Sequence, residues 1–429
     1  MAAMDESAKV QVSRLENGLR VVEVPMPGVA SVSVVVLVGV GSRYETEINM
    51  GLAHFYEHLV IMGTENYPTN MIFNEVIEKV GTDFNAMTAE EYTGYYMKTE
   101  ARHLDMALEM LAELMTKPLL KQSEIERERL VIIEEIKMRE DTPQIKVADR
   151  LVEVMFAGNG LGLPGAGTEA TVSSLKREDF VDLKAKHYVT SNMVVVVSGR
   201  VGEGVREKVN KWFNPIEQGV DILLSPFKVD KVGLQVEVVK KPTDQMHLGI
   251  GFRGFGRKDK QRYAQGLLSV ILGSGFTSRL FQKVRQERSL AYYVGTDTDL
   301  FVDTGLFSID AGVDAKRAEE AVKVIMEELE TVKGGEKKIT ESELRKAKDY
   351  LRGKLVLRLE DPLDLAMFHG AQLLLDEEIK SWEKVLEIVE QVTIEEVEAV
   401  AKEIFQKDRM GVVVVGQGVT EEDLKRWVS

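Results

Sequence analysis

The chain has 429 residues, no cysteine and a formal net charge of −15 at pH 7. Its hydrophobic content of 44% and charged content of 29% are those of a globular protein, and its length predicts two or more domains. The acidic balance argues against a nucleic-acid partner, and the absence of cysteine excludes a disulfide framework and any thiolate nucleophile or metal ligand.

The sequence also argues against a membrane protein. No apolar run approaches transmembrane length, and the first nine residues lack the apolar segment of a secretory signal. We therefore expect a cytoplasmic protein with no membrane partner.

The first predicted elements are two strands, at residues 15–24 and 32–38, and the second is a valine-rich run that should be buried. Glycines then break this strand. The segment between Gly51 and Gly63 is mostly apolar and has no internal proline or glycine. It predicts a largely buried helix of about three turns.

Two histidines and a glutamate lie together on this helix. His54 and His58 are four residues apart and share one face, with Glu57 beside them. Two imidazoles one turn apart suit a tetrahedral Zn²⁺, which needs a third protein ligand and keeps one position for water. Glu57 can take a proton from that water as it attacks a carbonyl. The order His-x-x-Glu-His is the inverzincin signature, and its alternative is a purely structural cluster.

The elements that follow the histidine helix are helices and extended structure. Residues 71–80 and 102–115 carry apolar side chains at helical spacing, and residues 83–98 between them read as extended structure rich in Thr and Tyr. A long helix is predicted from Ser123, as its cap, to about Arg139.

This long helix offers the acids that could complete a metal site. Its middle, residues 130–133, is apolar all round and is expected to be buried. Glu128 and Glu135 lie seven residues apart on one face, and Glu134 lies about 100° from Glu135 around the axis. Periodicity alone does not choose among the three as the third ligand.

The second half of the sequence echoes the first. A helix at 174–188 followed by an all-valine strand recurs as residues 393–419 in the same order and spacing, which indicates duplicated domains. We place a catalytic domain at residues 1–214, a linker at 215–231 and a second domain at 232–429. The copy of the histidine helix falls near residues 272–276, where the sequence has no metal ligand.

Two glycine-rich stretches invite a cofactor interpretation that their context does not favour. Residues 158–167 predict a mobile surface loop, because no Lys-Ser/Thr follows at P-loop spacing. Residues 249–254 read GxGxxG, but they lie within a predicted strand and no acidic ribose partner is convincing.

With these residues in hand, the chain resembles the pitrilysin-type zinc peptidases, the family of insulin-degrading enzyme and the mitochondrial processing peptidase. The likeness runs over nearly the whole chain. It rests on Asn17-Gly-Leu19, Gly41-Ser-Arg43-Tyr-Glu45, the stretch from Gly51 to Thr64, Gly81-Thr-Asp-Phe-Asn85-Ala86-Met-Thr88, Thr93-Gly-Tyr95, Glu126-Arg-Glu128-Arg129 with Glu135, and Arg285 followed by Leu290-Ala-Tyr292.

The resemblance assigns roles to residues that periodicity leaves open. It implies that Glu135 is the third zinc ligand, with Glu128 as an auxiliary acid that supports the site. It implies that Asn85 and Ala86 lie in an edge strand that binds substrate backbone.

In the second half, the resemblance implies that Arg285 and Tyr292 reach the substrate and hold a peptide carbonyl or a developing oxyanion. Tyr56 stands where the family usually has a smaller or aliphatic residue, so it either narrows a pocket or packs in the core.

The resemblance also implies the fold and the activity. We expect an α+β protein of two duplicated domains, each a mixed, mainly antiparallel sheet covered by helices. The expected activity is that of a zinc endopeptidase, with one Zn²⁺ per chain and Glu57 as general base, which hydrolyses peptides or small unfolded polypeptides inside a closed chamber. A homodimer is the simplest assembly, and a heterodimer with a paralogous chain is possible. The alternative function is a non-catalytic scaffold or one subunit of a heterodimeric processing peptidase.

Overall fold

The computed structural model describes residues 10–220, 222, 224–228, 233–333 and 338–429. Within them the strands are β1 (Gln11–Arg14), β2 (Arg20–Pro25), β3 (Ser31–Val38), β4 (Asp83–Thr88), β5 (Thr93–Glu100), β6 (Met193–Gly199), β7 (Gln235–Lys240), β8 (Met246–Gly254), β9 (Ala291–Leu300), β10 (Gly305–Val313) and β11 (Met410–Gly416).

The α-helices of the same residues surround these strands. They are α1 (Leu52–Val60), α2 (Asn70–Lys79), α3 (Leu104–Thr116), α4 (Gln122–Asp141), α5 (Pro143–Met155), α6 (Glu169–Ser174), α7 (Arg177–His187), α8 (Val205–Phe213), α9 (Arg262–Gly273), α10 (Ala318–Val332), α11 (Glu341–Arg358), α12 (Pro362–Ala371), α13 (Trp382–Gln391), α14 (Ile394–Ile404) and α15 (Glu421–Trp427). None of these described helices combines the length and the apolar character needed to cross a membrane.

The first compact unit comprises residues 1–136, 163–225 and 356–380. In its described part the sheet has the order β1-β2-β6-β3-β5-β4, in which β2 and β6 are parallel and the other neighbours antiparallel. Its main core joins one face of the sheet to α1, α3 and α7. Helix α12 packs on the other face, against β3 and β6.

The second compact unit comprises residues 137–162, 226–355 and 381–429. In its described part the sheet has the order β7-β11-β8-β10-β9, in which β7 and β11 are parallel and the other neighbours antiparallel. Its main core joins one face of this sheet to α9, α10 and α14. Helix α5 packs on the other face, against β8 and β11.

The predicted fold class is confirmed, because two mixed and mainly antiparallel sheets are each covered by helices. The boundary between residues 1–214 and 232–429 stays a prediction. Parts of the predicted linker, residues 221, 223 and 229–231, lie outside the described residues. Each unit also contains a segment from the other half of the sequence, residues 356–380 in the first and 137–162 in the second.

Three expectations about local structure are wrong. Residues 15–24 are not one strand, since a turn at Gly18, whose φ is +88°, separates β1 from β2. The middle of α4 is not buried all round: Leu130 is 65% exposed and Val131 48%, whereas Ile132 is fully buried. The reason is that α4 packs along one side only, so three consecutive apolar residues point in different directions. The predicted cap Ser123 lies within the first turn, because α4 begins at Gln122.

Candidate metal centre

Helix α1 is the predicted histidine helix, and a close backbone contact sets its start. Gly51 precedes it with a φ of +89°, which side chains disfavour. A Cβ on Gly51 would lie 2.7 Å from the carbonyl oxygen of Ala166, so the loop ending at Gly167 approaches the helix where only glycine fits. Phe55 and Leu59 are buried on the side of α1 that faces the core.

A buried carboxylate caps the same end of α1. The Glu45 carboxylate accepts hydrogen bonds from the backbone N–H groups of Gly51 and Ala53, each at 2.7 Å. Burial raises the pKa of Glu45 to about 8, although these backbone N–H groups lower it. Free N–H groups at the start of a helix stabilise a carboxylate there, so this contact fixes the start of α1.

His54, His58 and Glu135 converge in the first unit. Oε2 of Glu135 lies 3.6 Å from Nε2 of His54 and 3.7 Å from Nε2 of His58. The two imidazole rings are 4.8 Å apart, and one ligand atom from each of the three residues lies within 4.8 Å of the others. Atoms that bind zinc tetrahedrally at about 2.0–2.1 Å lie about 3.3 Å from each other. Two imidazoles and one carboxylate at this spacing fit Zn²⁺ with one position open.

Glu128 lies behind His58, two helical turns before Glu135. Its Oε2 is 3.6 Å from Nδ1 of His58, and its side chain is buried. Burial lowers the pKa of His58, but Glu128 and the other nearby carboxylates outweigh burial and raise it above its usual value. With Nδ1 facing Glu128, Nε2 is the nitrogen left for a metal. Glu134, the third acid that the sequence offered, is exposed on α4.

Glu57 lies beside the histidines and is hydrogen-bonded to strand β4. The side chain is only 9% exposed, and its Oε2 accepts a hydrogen bond of 2.6 Å from the Thr88 hydroxyl. Burial raises the pKa of Glu57, and the hydrogen bond from Thr88 opposes this shift. A carboxyl group with a raised pKa is suited to accept a proton.

Asn85 and Ala86 belong to β4, the last strand in the order of the first sheet, as the edge-strand interpretation requires. Oδ1 of Asn85 accepts a hydrogen bond from the backbone N–H of Ala86 at 2.9 Å. One side of β4 pairs with β5, and among the described residues its other side pairs with no strand.

Arg285 and Tyr292 lie in the second unit. The Arg285 guanidinium lies 5.0 Å from the ring centre of Phe281, and Tyr292, the second residue of strand β9, is 61% exposed. Both are exposed, and their proposed role toward substrate stays a prediction. Residues 272 and 273 end α9 and residues 274–276 follow it, and among the described residues no metal-ligand cluster forms there.

The sequence gave no role to two residues near the site, Glu45 and Thr88. Both were noted only as part of the family likeness. Thr88 contacts Glu57, 31 residues away in the chain, and Glu45 contacts the start of α1 six to eight residues further along the chain. The alternation of β4 was the available signal, because Thr88 must point to the same side as Ala86.

Tyr56 is fully buried, with its ring 4.7 Å from that of Tyr188, so it packs in the core and does not narrow a pocket.

Comparison with known proteins gives the family. Residues 20–169 match the family model described as insulinase, peptidase family M16, and residues 174–351 match the model described as the peptidase M16 inactive domain. An uncharacterized zinc protease of Mycobacterium leprae is 35% identical over 98% of this chain and 94% of its own length. The chain belongs to peptidase family M16. The first match contains the whole of α1, β4 and α4, which carry the candidate metal centre.

Further M16 relatives agree with this assignment. An uncharacterized zinc protease of Bacillus subtilis is 32% identical over 92% of this chain and 95% of its own length. The crystal structure of a protease from Helicobacter pylori superposes with a TM-score of 0.89 at 26% identity, covering 96% of this chain and 100% of that one. The predicted pitrilysin-type family is thereby confirmed, and it is a family of metallopeptidases.

Proposed function

We propose that this chain is a zinc-dependent endopeptidase that hydrolyses peptides or small unfolded polypeptides. The observation that carries the proposal is the convergence of His54, His58 and Glu135 with the buried Glu57 beside them. Relatives that share a third of the sequence over nearly the whole chain are named zinc proteases, which supports the same metal and the same class of reaction.

One Zn²⁺ per chain would be held by the two histidine Nε2 atoms and a Glu135 oxygen. Bound zinc supplies a Lewis acid that polarises the scissile carbonyl and acidifies the attacking water. Glu57 accepts the proton of that water and then donates it to the leaving amine, a role that suits a partly buried carboxyl group. Glu128 orients the ring of His58.

The substrate would bind as an extra strand. Edge strand β4 offers backbone groups to an extended peptide at Asn85 and Ala86, and such pairing recognises the backbone rather than particular side chains. Arg285 and Tyr292 of the second unit would hold a substrate carbonyl or oxyanion. A homodimer that encloses a chamber, in the cytoplasm, completes the proposal, and a heterodimer with a paralogous chain is its variant.

The test compares the wild type with the Glu57→Gln variant, which keeps the shape of the side chain and removes its basicity. Zinc content is measured by elemental analysis, and cleavage is followed on quenched peptides of roughly 10–30 residues, a length suited to an enclosed site. Glu126→Gln is the matched control, because it removes one carboxylate from the exposed side of α4, where Glu126 bonds Arg129.

We expect about one zinc in each protein and loss of cleavage in Glu57→Gln alone. Loss of zinc from Glu57→Gln would count against its role as base. Zinc-loaded wild type that cleaves no peptide would favour a non-catalytic scaffold or a missing partner chain. Wild type that binds no zinc would overturn the metallopeptidase proposal for this chain.

A further inference from the structure

Among the described residues, Thr88 forms a hydrogen bond with the carboxylate of the proposed base, Glu57. Its Oγ1 lies 2.6 Å from Oε2 of Glu57, a distance typical of a hydroxyl that donates to an ionised carboxylate. Since an ionised carboxylate can only accept, the hydroxyl is the donor. The contact joins residues 31 positions apart and is partly buried, so water competes weakly for either group.

The position of Thr88 follows from the alternation of β4. Successive side chains of a strand point to opposite faces, so Phe84, Ala86 and Thr88 share the face toward α1. Phe84 and Ala86 pack against the core cluster that contains α1, and Thr88, the last residue of β4, meets Glu57. The hydroxyl that contacts the base is therefore carried by a strand and not by a loop.

The end of the β4–β5 hairpin is itself held in place. The guanidinium of Arg43 forms a buried ion pair with Glu91 in the turn of the hairpin, and the backbone N–H of Arg43 donates to the carbonyl of Glu90 at 2.9 Å. A Cβ on Gly41 would lie 2.0 Å from the carbonyl oxygen of Ala89, which shows how closely the turn approaches this segment. These contacts fix the strand on which Thr88 lies.

We propose that Thr88 is a positioning residue for Glu57, an inference that rests on the proposed peptidase function. The hydroxyl holds Oε2 and so directs Oε1 toward the attacking water. Since β4 is also the proposed substrate strand, one rigid element sets both the register of the peptide and the orientation of the base. In this role Thr88 acts on catalysis through its hydrogen bond to Glu57.

The experiment uses two substitutions at this position and one control in the same hairpin. Thr88→Val keeps the shape and removes the hydroxyl, and Thr88→Ser keeps the hydroxyl. Thr82→Val is the control, because the Thr82 hydroxyl bonds Thr99 at 3.0 Å, just before the start of β4 and away from Glu57. The measurements are kcat and KM on a quenched peptide, zinc content, and peptide affinity in the Glu57→Gln background.

We expect Thr88→Val to lower kcat by about ten- to a hundredfold, the range for loss of one hydrogen bond to a charged group, with KM and zinc content unchanged. Thr88→Ser should recover most of this loss, and Thr82→Val should leave kcat unchanged. In the Glu57→Gln background, Thr88→Val should leave peptide affinity unchanged, because only the orientation of the base is affected.

Several results would overturn the assignment. They are a wild-type kcat in Thr88→Val, an equal loss of kcat in Thr88→Ser, and a loss of zinc or of peptide affinity in Thr88→Val. Crystal structures of the zinc-loaded wild type and Thr88→Val proteins give a readout independent of activity. We expect the Glu57 carboxylate to turn or to become disordered in the variant, and an unmoved Glu57 would refute the role of Thr88. A zinc-loaded wild type that cleaves nothing would favour a scaffold or a missing partner chain, while the crystal comparison would still decide on Thr88.

Discussion

Substitution of Glu128 by Gln tests whether this buried acid supports the metal centre. In the wild type its Oε2 lies 3.6 Å from Nδ1 of His58, on the side of the ring opposite the nitrogen that faces Glu135. A carboxylate in this position fixes the ring orientation and makes the metal-binding nitrogen more basic. Glutamine has the same shape but no charge, so the side chain should still fit while the electrostatic support is lost.

The distance sets the size of the expected effect. Loss of such a supporting group typically weakens metal binding by about 10–100-fold. Since 3.6 Å exceeds the roughly 2.7–3.2 Å of a direct hydrogen bond, we expect the lower end of that range. This is about a tenfold rise in the dissociation constant for zinc, or about 1.4 kcal/mol.

The assay is competition for zinc between the protein and a chromophoric chelator, followed by peptidase kinetics at saturating zinc. Glu126→Gln is the control, because it removes the same charge from the exposed side of α4, two residues away. We expect the control to bind zinc as the wild type does, and Glu128→Gln to regain most of its activity when zinc is saturating. Equal zinc affinity in Glu128→Gln and Glu126→Gln would show that Glu128 does not support His58.

Three further predictions concern the ligands, the core and the response to acid. Glu135→Gln should lower zinc affinity by at least about a hundredfold, whereas Glu134→Gln should not, and the reverse result would exchange their roles. Tyr56→Phe, which removes a buried hydroxyl, should leave peptide specificity unchanged, and an altered cleavage pattern would return Tyr56 to the binding site. Burial lowers the pKa of His369 from 6.5 to about 4, so the folded state excludes a proton that the unfolded chain binds. The free energy of unfolding should therefore fall by up to about 3 kcal/mol between pH 6.5 and 4, and denaturation curves should show a smaller fall in His369→Gln than in His103→Gln.

The local part of the candidate site could be predicted from the sequence. The spacing of four residues between His54 and His58 places both on one face of any helix, and α1 forms where the apolar run predicts it. The choice of Glu135 over Glu134 as the third ligand could not be predicted from spacing. The two residues are adjacent on α4, and only the packing of α4 against α1 decides which of them faces the histidines. Family likeness supplied that choice, and the 3.6 Å and 3.7 Å distances from Glu135 to the two histidines agree with it.

The contacts that hold the site in place could not be predicted from spacing. Glu45 contacts the start of α1 six to eight residues further along the chain. Thr88 contacts Glu57 from the end of strand β4, on the face of the sheet that α1 covers. Neither contact could be predicted from the periodicity of a helix or strand. The exposed Leu130 and Val131 show the complementary error, because an apolar run indicates burial only where a second element is available to cover each side of the helix.

The helix that covers the second face of each sheet explains a glycine pattern that otherwise suggests a cofactor site. In the second unit Gly249 and Gly251 lie in β8, and a Cβ on either would come within 3.1–3.3 Å of Leu151 on α5. In the first unit the glycine is on the helix instead, since a Cβ on Gly370 of α12 would lie 2.9 Å from the side chain of Leu37 on β3. In both units glycine lets a helix approach a sheet closely, but the glycines lie on the strand in the second unit and on the helix in the first. A search for a repeated motif would miss this equivalence, because the requirement is a short distance between helix and sheet, and either surface can meet it.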